Sequence, residues 1–164
     1  MQLFEPIFHA LEAGRVRYVA VGGIATVLHG VIRLTRDVDL VVDLEPAEAR
    51  RAVGVLTALG YAPAVPVPAE AFADPTQRAA WAREKQMVVL SFRDQRGYVA
   101  VDLFVAYPMD FEELWNRSVV MMAGETAIRV ASLDDLIQLK RTAGRPQDLL
   151  DVERLEQIRG MRSR

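Results

Sequence analysis

Residues 16–42 run from a short strand through a glycine pair and a brief helix into a second strand, and that order sets the frame for the whole chain. Val16 to Val21 is β-branched and ends at Gly22-Gly23. Ile24 to His29 reads as a helix closed by Gly30. Asp37 to Val42, DVDLVV, reads as a strand of alternating character. Asp37 and Asp39 lie two apart on it, so both point to one face with Cα atoms about 6.5–7 Å apart. Two carboxylates so placed repel each other unless a cation sits between them.

The rest of the chain continues as an α/β (α+β) domain. Leu3, Phe4, Ile7, Phe8 and Leu11 have helical spacing over 2–13, stopped by Gly14. Pro46 opens a helix that runs to Leu59 and ends at Gly60. Residues 61–75, rich in Ala and Pro, read as a loop. A short helix around 76–84 follows. Met87–Phe92 and Tyr98–Val105 then form a hairpin about the turn DQRG. Phe111–Trp115 is a short helical piece, and Val119–Met122 with Ala127–Val130 forms a second small hairpin around GET. Ser132 caps a helix over Leu133–Thr142, broken by Gly144. A last helix spans Pro146–Ile158 and leaves a frayed basic tail. The expectation is one domain over 1–164, with a core at about 15–131 and a C-terminal helical part at about 132–160. Its mixed β-sheet, the later strands antiparallel, is flanked by helices.

Composition narrows the chemistry. The 164 residues carry a formal net charge of −2, which argues against coating nucleic acid by bulk electrostatics but leaves room for a local basic pocket. There is no cysteine, and His9 and His29 are the only histidines, so thiolate and histidine-rich metal sites are excluded. Any metal therefore rests on oxygen ligands: Mg2+, Mn2+ or calcium. No stretch reads as a signal peptide or a membrane span, so a soluble cytoplasmic protein with no membrane partner is expected. Basic residues are nearly all arginine; Lys85 and Lys140 are the two lysines.

Asp102 interrupts the apolar strand VAVDLFV, and a buried strand keeps an acid only when it is paired or coordinated. If that strand neighbours 37–42, Asp37, Asp39 and Asp102 converge. Three carboxylates around two divalent ions suit phosphoryl and nucleotidyl transfer. Taken singly, each acid is also a solvated strand-end residue or a helix cap. Gly22 and Gly23, after a strand and before a helix, let backbone N–H groups approach a phosphate, although a tight turn explains them too. Arg33, Thr35 and Arg36, in the link to the acidic strand, suit a triphosphate or an ordinary solvated loop. His29 reads as a packed structural histidine, and Trp81, Trp115 and the methionines as core or interface.

The stretch YVAVGGIATVLHGVIRLTRDVDLVV over 18–42 resembles the signature of the DNA polymerase beta-like nucleotidyltransferase superfamily. The fuller pattern GGxAxxxHGxxRxTxDxD is similar to the bacterial branch holding the AbiEii-type abortive-infection toxins and related small nucleotidyltransferases. SLDDLIQLKRTAGRPQDLLDV resembles that branch's late motif, with Lys140, Arg145, Asp148 and Asp151 at the matching positions. The resemblance implies a nucleotidyltransferase fold and a metal-dependent enzyme using Mg2+ or Mn2+. That enzyme moves a nucleoside monophosphate from an NTP to an unknown acceptor: a tRNA end, a protein hydroxyl or a small molecule. Asp37 and Asp39 would hold metal, joined by Asp102, which is assigned from its place in the strand because the third carboxylate varies within the branch. Gly22, Gly23, Arg33, Thr35, Lys140, Arg145 and Asp148 would bind nucleotide, with Lys140 on the phosphate. Asp148 also reads as a first-turn helix acid and Lys140 as a snorkelling surface lysine. The branch implies a toxin-type role with a partner protein from a toxin-antitoxin pair. The toxins are usually longer, with an extra helical substrate-binding region. The alternative is a catalytically weak or inactive, antitoxin-like binding module of the same fold.

Overall fold

Period-two alternation on the central strands divides the sheet into an apolar face and a charged one. The computed structural model describes residues 3–162. β1 (Tyr18–Val21) pairs antiparallel with β2 (Asp37–Val42), and β2 pairs parallel with β5 (Ala100–Phe104). β5 pairs antiparallel with β4 (Val89–Arg93), which carries the two-residue edge strand β3 (Ala62–Pro63). On the other side β1 meets β7 (Thr126–Val130) in parallel, and β7 pairs antiparallel with β6 (Val119–Ala123). The order is β3-β4-β5-β2-β1-β7-β6, a mixed seven-stranded sheet among the described residues.

The register fixes which side chains share a face. Val38 lies opposite Val101, Leu40 opposite Leu103, and Leu90 and Phe92 opposite Leu103 and Val101. All six are buried in the core. Fully burying each such side chain is worth about 1.5–3 kcal/mol. The alternate positions Asp37, Asp39, Ser91, Arg93 and Asp102 necessarily share the opposite face. A slip of one residue would bury the acids and expose the core, so packing locks the acids in place.

Among the described residues seven α-helices accompany the sheet: α1 (Glu5–Ala13), α2 (Gly22–Leu28), α3 (Pro46–Ala58), α4 (Pro75–Lys85), α5 (Phe111–Arg117), α6 (Leu133–Ala143) and α7 (Pro146–Arg162). Asp74 and Asp110 cap α4 and α5 by accepting from Thr76 N–H at 2.8 Å and Glu113 N–H at 2.9 Å. The Ser132 hydroxyl caps α6 as expected, accepting from Asp135 N–H at 3.2 Å, and α6 ends at left-handed Gly144. α2 packs on β1, β2 and α6, and α6 packs on α7.

Three expectations need correction. Residues 61–75 are not all loop: they hold β3 and a 3₁₀ turn at Ala69–Ala73, whose Phe72 is buried beneath the Arg78 guanidinium at 5.6 Å. α2 begins at Gly22 rather than Ile24. The tail after Ile158 stays helical to Arg162. The expected start of α1 at residue 2 lies outside the described residues.

Candidate active site

Gly22 opens the site by leaving a space. Its φ is +61°, and a Cβ built there would lie 2.0 Å from Asp39 Oδ2. The carboxylate of Asp39 fills that space, and the Gly23 N–H donates to it at 3.4 Å. A Cβ on Gly23 would lie 2.3 Å from Thr35 Oγ1, and that hydroxyl donates to the Asp37 carbonyl at 3.3 Å. The glycine pair thus lets the acidic strand and its preceding loop close against the start of α2.

Across the parallel pair Asp39 stands in register with Asp102, and Asp37 with Ala100. Burial raises the Asp39 pKa to about 6, aided by Asp102 and Asp37 and opposed by the Gly23 N–H and Lys140. Burial raises Asp102 as well; Ser91 holds it down by a hydrogen bond, Asp37 pushes it up and Arg93 pulls it down. Asp102 Oδ1 is buried without a hydrogen-bond partner, the only such side-chain atom among the described residues. Asp37 is exposed one strand step away. Among the described residues no three Asp, Glu or His side chains are gathered tightly enough to hold one ion. Asp39 and Asp102 nonetheless fit a divalent cation: they face each other, repel each other, and one oxygen has no partner.

A second layer of charge comes from the C-terminal helices. Lys140 Nζ donates to Asp151 Oδ2 at 2.7 Å and to Asp148 Oδ1 at 3.2 Å. Its exposure is 4%, so it is not a snorkelling surface lysine. The Arg33 guanidinium pairs with the same Asp151, which also accepts from Gln147 at 3.2 Å. Arg145 Nε donates to Asp148 Oδ2 at 2.6 Å. Burial alone would raise the Asp148 pKa, but hydrogen bonds from Arg145 and Lys140 hold it below the usual carboxylate range.

One cavity of about 250 Å³ is lined by Gly22, Gly23, Arg33, Thr35, Asp37, Asp39, Asp102, Lys140, Arg145 and Asp148; Asp151 of the late motif does not line it. A second cavity, about 300 Å³, shares Gly22, Asp39 and Lys140 and is otherwise largely apolar, with Val21, Val88, Phe104, Leu136 and Leu139. Arg36 is outside both. His29 is structural as expected. Its Nε2 bonds the Ala131 carbonyl at 2.8 Å and burial lowers its pKa.

The sequence reading missed Ser91, Arg93 and Gln147. Ser91 was recoverable only as to face: folding the two strands tightly about DQRG would set Asp102 opposite Val89, whereas the observed register, Arg93 opposite Ala100, leaves a longer turn and sets Asp102 opposite Ser91. Gln147 lies one turn before Asp151 on α7, a spacing that brings side chains together.

A family model described as "Nucleotidyltransferase of unknown function (DUF6036)" matches residues 1–160. The chain belongs to this family. No curated protein matches the sequence. Solved structures similar to this DUF6036 nucleotidyltransferase share its fold. One is a Thermotoga maritima protein assigned to the nucleotidyltransferases, at 16% identity and TM-score 0.60, covering 99% of this chain and 92% of that one. Another is ANT(2")-Ia in complex with adenylyl-2"-tobramycin, at 16% identity and TM-score 0.60, covering 99% and 94%. A third is the lincosamide antibiotic adenylyltransferase LnuA with lincomycin bound, at 16% identity and TM-score 0.54, covering 90% of each chain. The matching family model is DUF6036; the AbiEii-type proteins do not appear among these matches.

Proposed function

We propose that this DUF6036 nucleotidyltransferase transfers a nucleoside monophosphate from an NTP to an acceptor hydroxyl in a metal-dependent reaction. The observation that carries the reading is the pairing of Asp39 with Asp102 across β2 and β5. They stand at the wall of a cavity that also holds Arg33, Lys140 and Arg145. Asp39 and Asp102, with Asp37 beside them, would hold Mg2+ or Mn2+, which when bound screens the phosphate charge and favours ionisation of the acceptor hydroxyl.

The protein's own groups do the rest. Gly22 and Gly23, at the start of α2, present backbone to the phosphates. Arg33, Thr35, Lys140, Arg145 and Asp148 order the triphosphate end, the cations by charge and Asp148 by holding Lys140 and Arg145. The apolar cavity beside them takes the flat base, against Phe104 and Leu139. The acceptor oxygen attacks the α-phosphorus and forms the new P–O bond. The bond to the bridging oxygen breaks and pyrophosphate leaves with its electron pair. The hydroxyl proton passes to solvent water at the open side of the cavity.

One observation favours a second reading, a nucleotide- or partner-binding module with little turnover: Arg33, Lys140 and Arg145 are already paired with the acids of α7. Pyrophosphate release decides between the two. Incubation with each labelled NTP, divalent cation and cell extract should release pyrophosphate and label an acceptor. Metal-independent nucleotide binding with no pyrophosphate sinks the enzyme reading. The AbiEii-like motifs extend the proposal to the toxin half of a toxin-antitoxin pair. Growth arrest on expression, relieved by an adjacent gene product and absent in Asp39→Asn, is the expected result.

A further inference from the structure

We infer that the acceptor is a single-stranded nucleic-acid end, laid in a basic groove that opens off Asp37; the inference rests on the nucleotidyl transfer proposed above. The groove, about 540 Å³, is lined by Arg36, Asp37, Arg93, Gly97, Tyr98 and Ala100 among others. Asp37 also lines the charged cavity, so groove and site meet at that acid.

The sheet builds this groove. Asp37, Ala100 and Arg93 stand in one register row across β2, β5 and β4. Two strand spacings, roughly 10 Å, separate the outer two. Between them Ala100 contributes only a methyl group, which leaves a floor. At the end of the row Gly97 turns the chain with φ +66°, and a Cβ built there meets nothing within 4 Å. Tyr98 precedes Ala100 by two and is 68% exposed, so a ring face is available at the rim.

Charge selects the ligand. Arg33, Lys140 and Arg145 pair with Asp148 and Asp151 and line the nucleotide cavity, not the groove. Arg36 and Arg93 are exposed, and among the described residues neither makes a side-chain hydrogen bond or an ion pair. Two unpaired guanidiniums beside an exposed aromatic ring are what a phosphate-linked, base-bearing strand requires: cations for the backbone and a stacking face for a base. A polycationic aminosugar would meet repulsion there. The net charge of −2 is consistent with such a local contact, since only the groove need be basic. The terminal hydroxyl of the strand then lies toward Asp37 and the paired acids, where the α-phosphate is held.

The test uses the full chain and a fluorescent ten-nucleotide single strand, as RNA and as DNA, with anisotropy read at several salt concentrations. Calorimetry with each NTP runs in parallel on every variant. Arg36→Gln/Arg93→Gln should bind the strand at least tenfold more weakly. Its log-affinity slope against log salt should be shallower by about 1.4, since each phosphate left without its guanidinium removes about 0.7. Tyr98→Ala should weaken binding by about tenfold with the salt slope unchanged. NTP affinity should stay within about threefold in Tyr98→Ala. Equal strand affinity in the parent and the double variant overturns the groove. So does a parent that binds NTP but no strand, which leaves the transfer reading intact. Strand binding that depends on Arg36 and Arg93 in a protein that binds no NTP upholds the groove and overturns the transfer reading. Labelling of an aminoglycoside or a protein in preference to the strand also overturns the inference.

Discussion

Asp39 is held where its charge is unwelcome. Burial and Asp102 raise its pKa to about 6, above the ordinary 3.8. An acid shifted in this direction lowers stability as pH rises from its unfolded value through its folded one. Below about pH 4 it is neutral in both states and costs nothing. At neutral pH it is ionised in both, and the folded state bears the penalty. Asp39→Asn should therefore stabilise the fold by on the order of 1–3 kcal/mol at pH 7.5, at about 1.4 kcal/mol per tenfold in the ionisation constant. The gain should vanish near pH 4. Urea denaturation at the two pH values reads it, and pyrophosphate release from the same protein should be absent. A neutral or destabilising effect at pH 7.5 would count against the buried acid pair. Gly22→Ala should show the opposite balance. Its Cβ has no room beside Asp39 Oδ2 and its φ is +61°, so both stability and turnover fall, stability by about 1–3 kcal/mol. These residue-level demands were legible in part: a strand, a glycine pair and an Asp-x-Asp announce a tight turn near two acids. That the first glycine makes room for the second acid was not legible, because their contact spans two elements.

At the scale of elements, one buried carboxylate ties three pieces together. Asp151 on α7 accepts from Lys140 of α6, from Arg33 of the α2–β2 loop and from Gln147. Asp151→Asn leaves Arg33 without its anion and Lys140 with Asp148 alone. Removing one partner of a buried ion pair costs about 3–5 kcal/mol, and that loss of unfolding free energy is the expected result. NTP affinity should fall with it, since Arg33 and Lys140 lose their anchor. Asp148 adds a pH signature. Its depressed pKa contributes stability above the ordinary carboxylate value, and that contribution is lost as pH falls through the lower folded value. Asp148→Asn should therefore flatten the acid limb of the stability profile, read by thermal melts between about pH 2 and 5. The sequence carried half of this network. Lys140, Asp148 and Asp151 sit on two helices split by Gly144, a local pattern. Arg33 and Asp151 are 118 positions apart, and no periodicity reports that pair. β2 matched residue for residue because alternation and flanking loops both mark it. β3 did not, because a two-residue edge strand exists only through its pairing with Phe92 and Arg93.

On the scale of the whole molecule, the separation of a core over 15–131 from a helical part over 132–160 becomes a question of cooperativity. Val152 and Leu155 of α7 and Leu136 and Ile137 of α6 belong to the same continuous core cluster as the central strands. α6 packs on both α2 and α7, and the site cavity takes walls from β2, β5, α6 and α7 together. A part so embedded has no boundary along which to open alone. The full chain should unfold in a single transition. Trp81 is buried in the core and Trp115 lies against Arg17 and Arg129 at 4.9 and 4.2 Å, so tryptophan fluorescence reports the α4 and α5 side of the sheet. Far-ultraviolet circular dichroism reports all the helices, α7 included. The two urea curves should superimpose. A chain ended at Gly144 would uncover the apolar face under α7 and strand Lys140 without either acid. It should then lose the cooperative transition and NTP binding together. If the helical signal outlasts the fluorescence change in the full chain, or the shortened chain keeps a sharp transition, the C-terminal helices form a separate unit. The site would then lie at a junction between two units rather than within one.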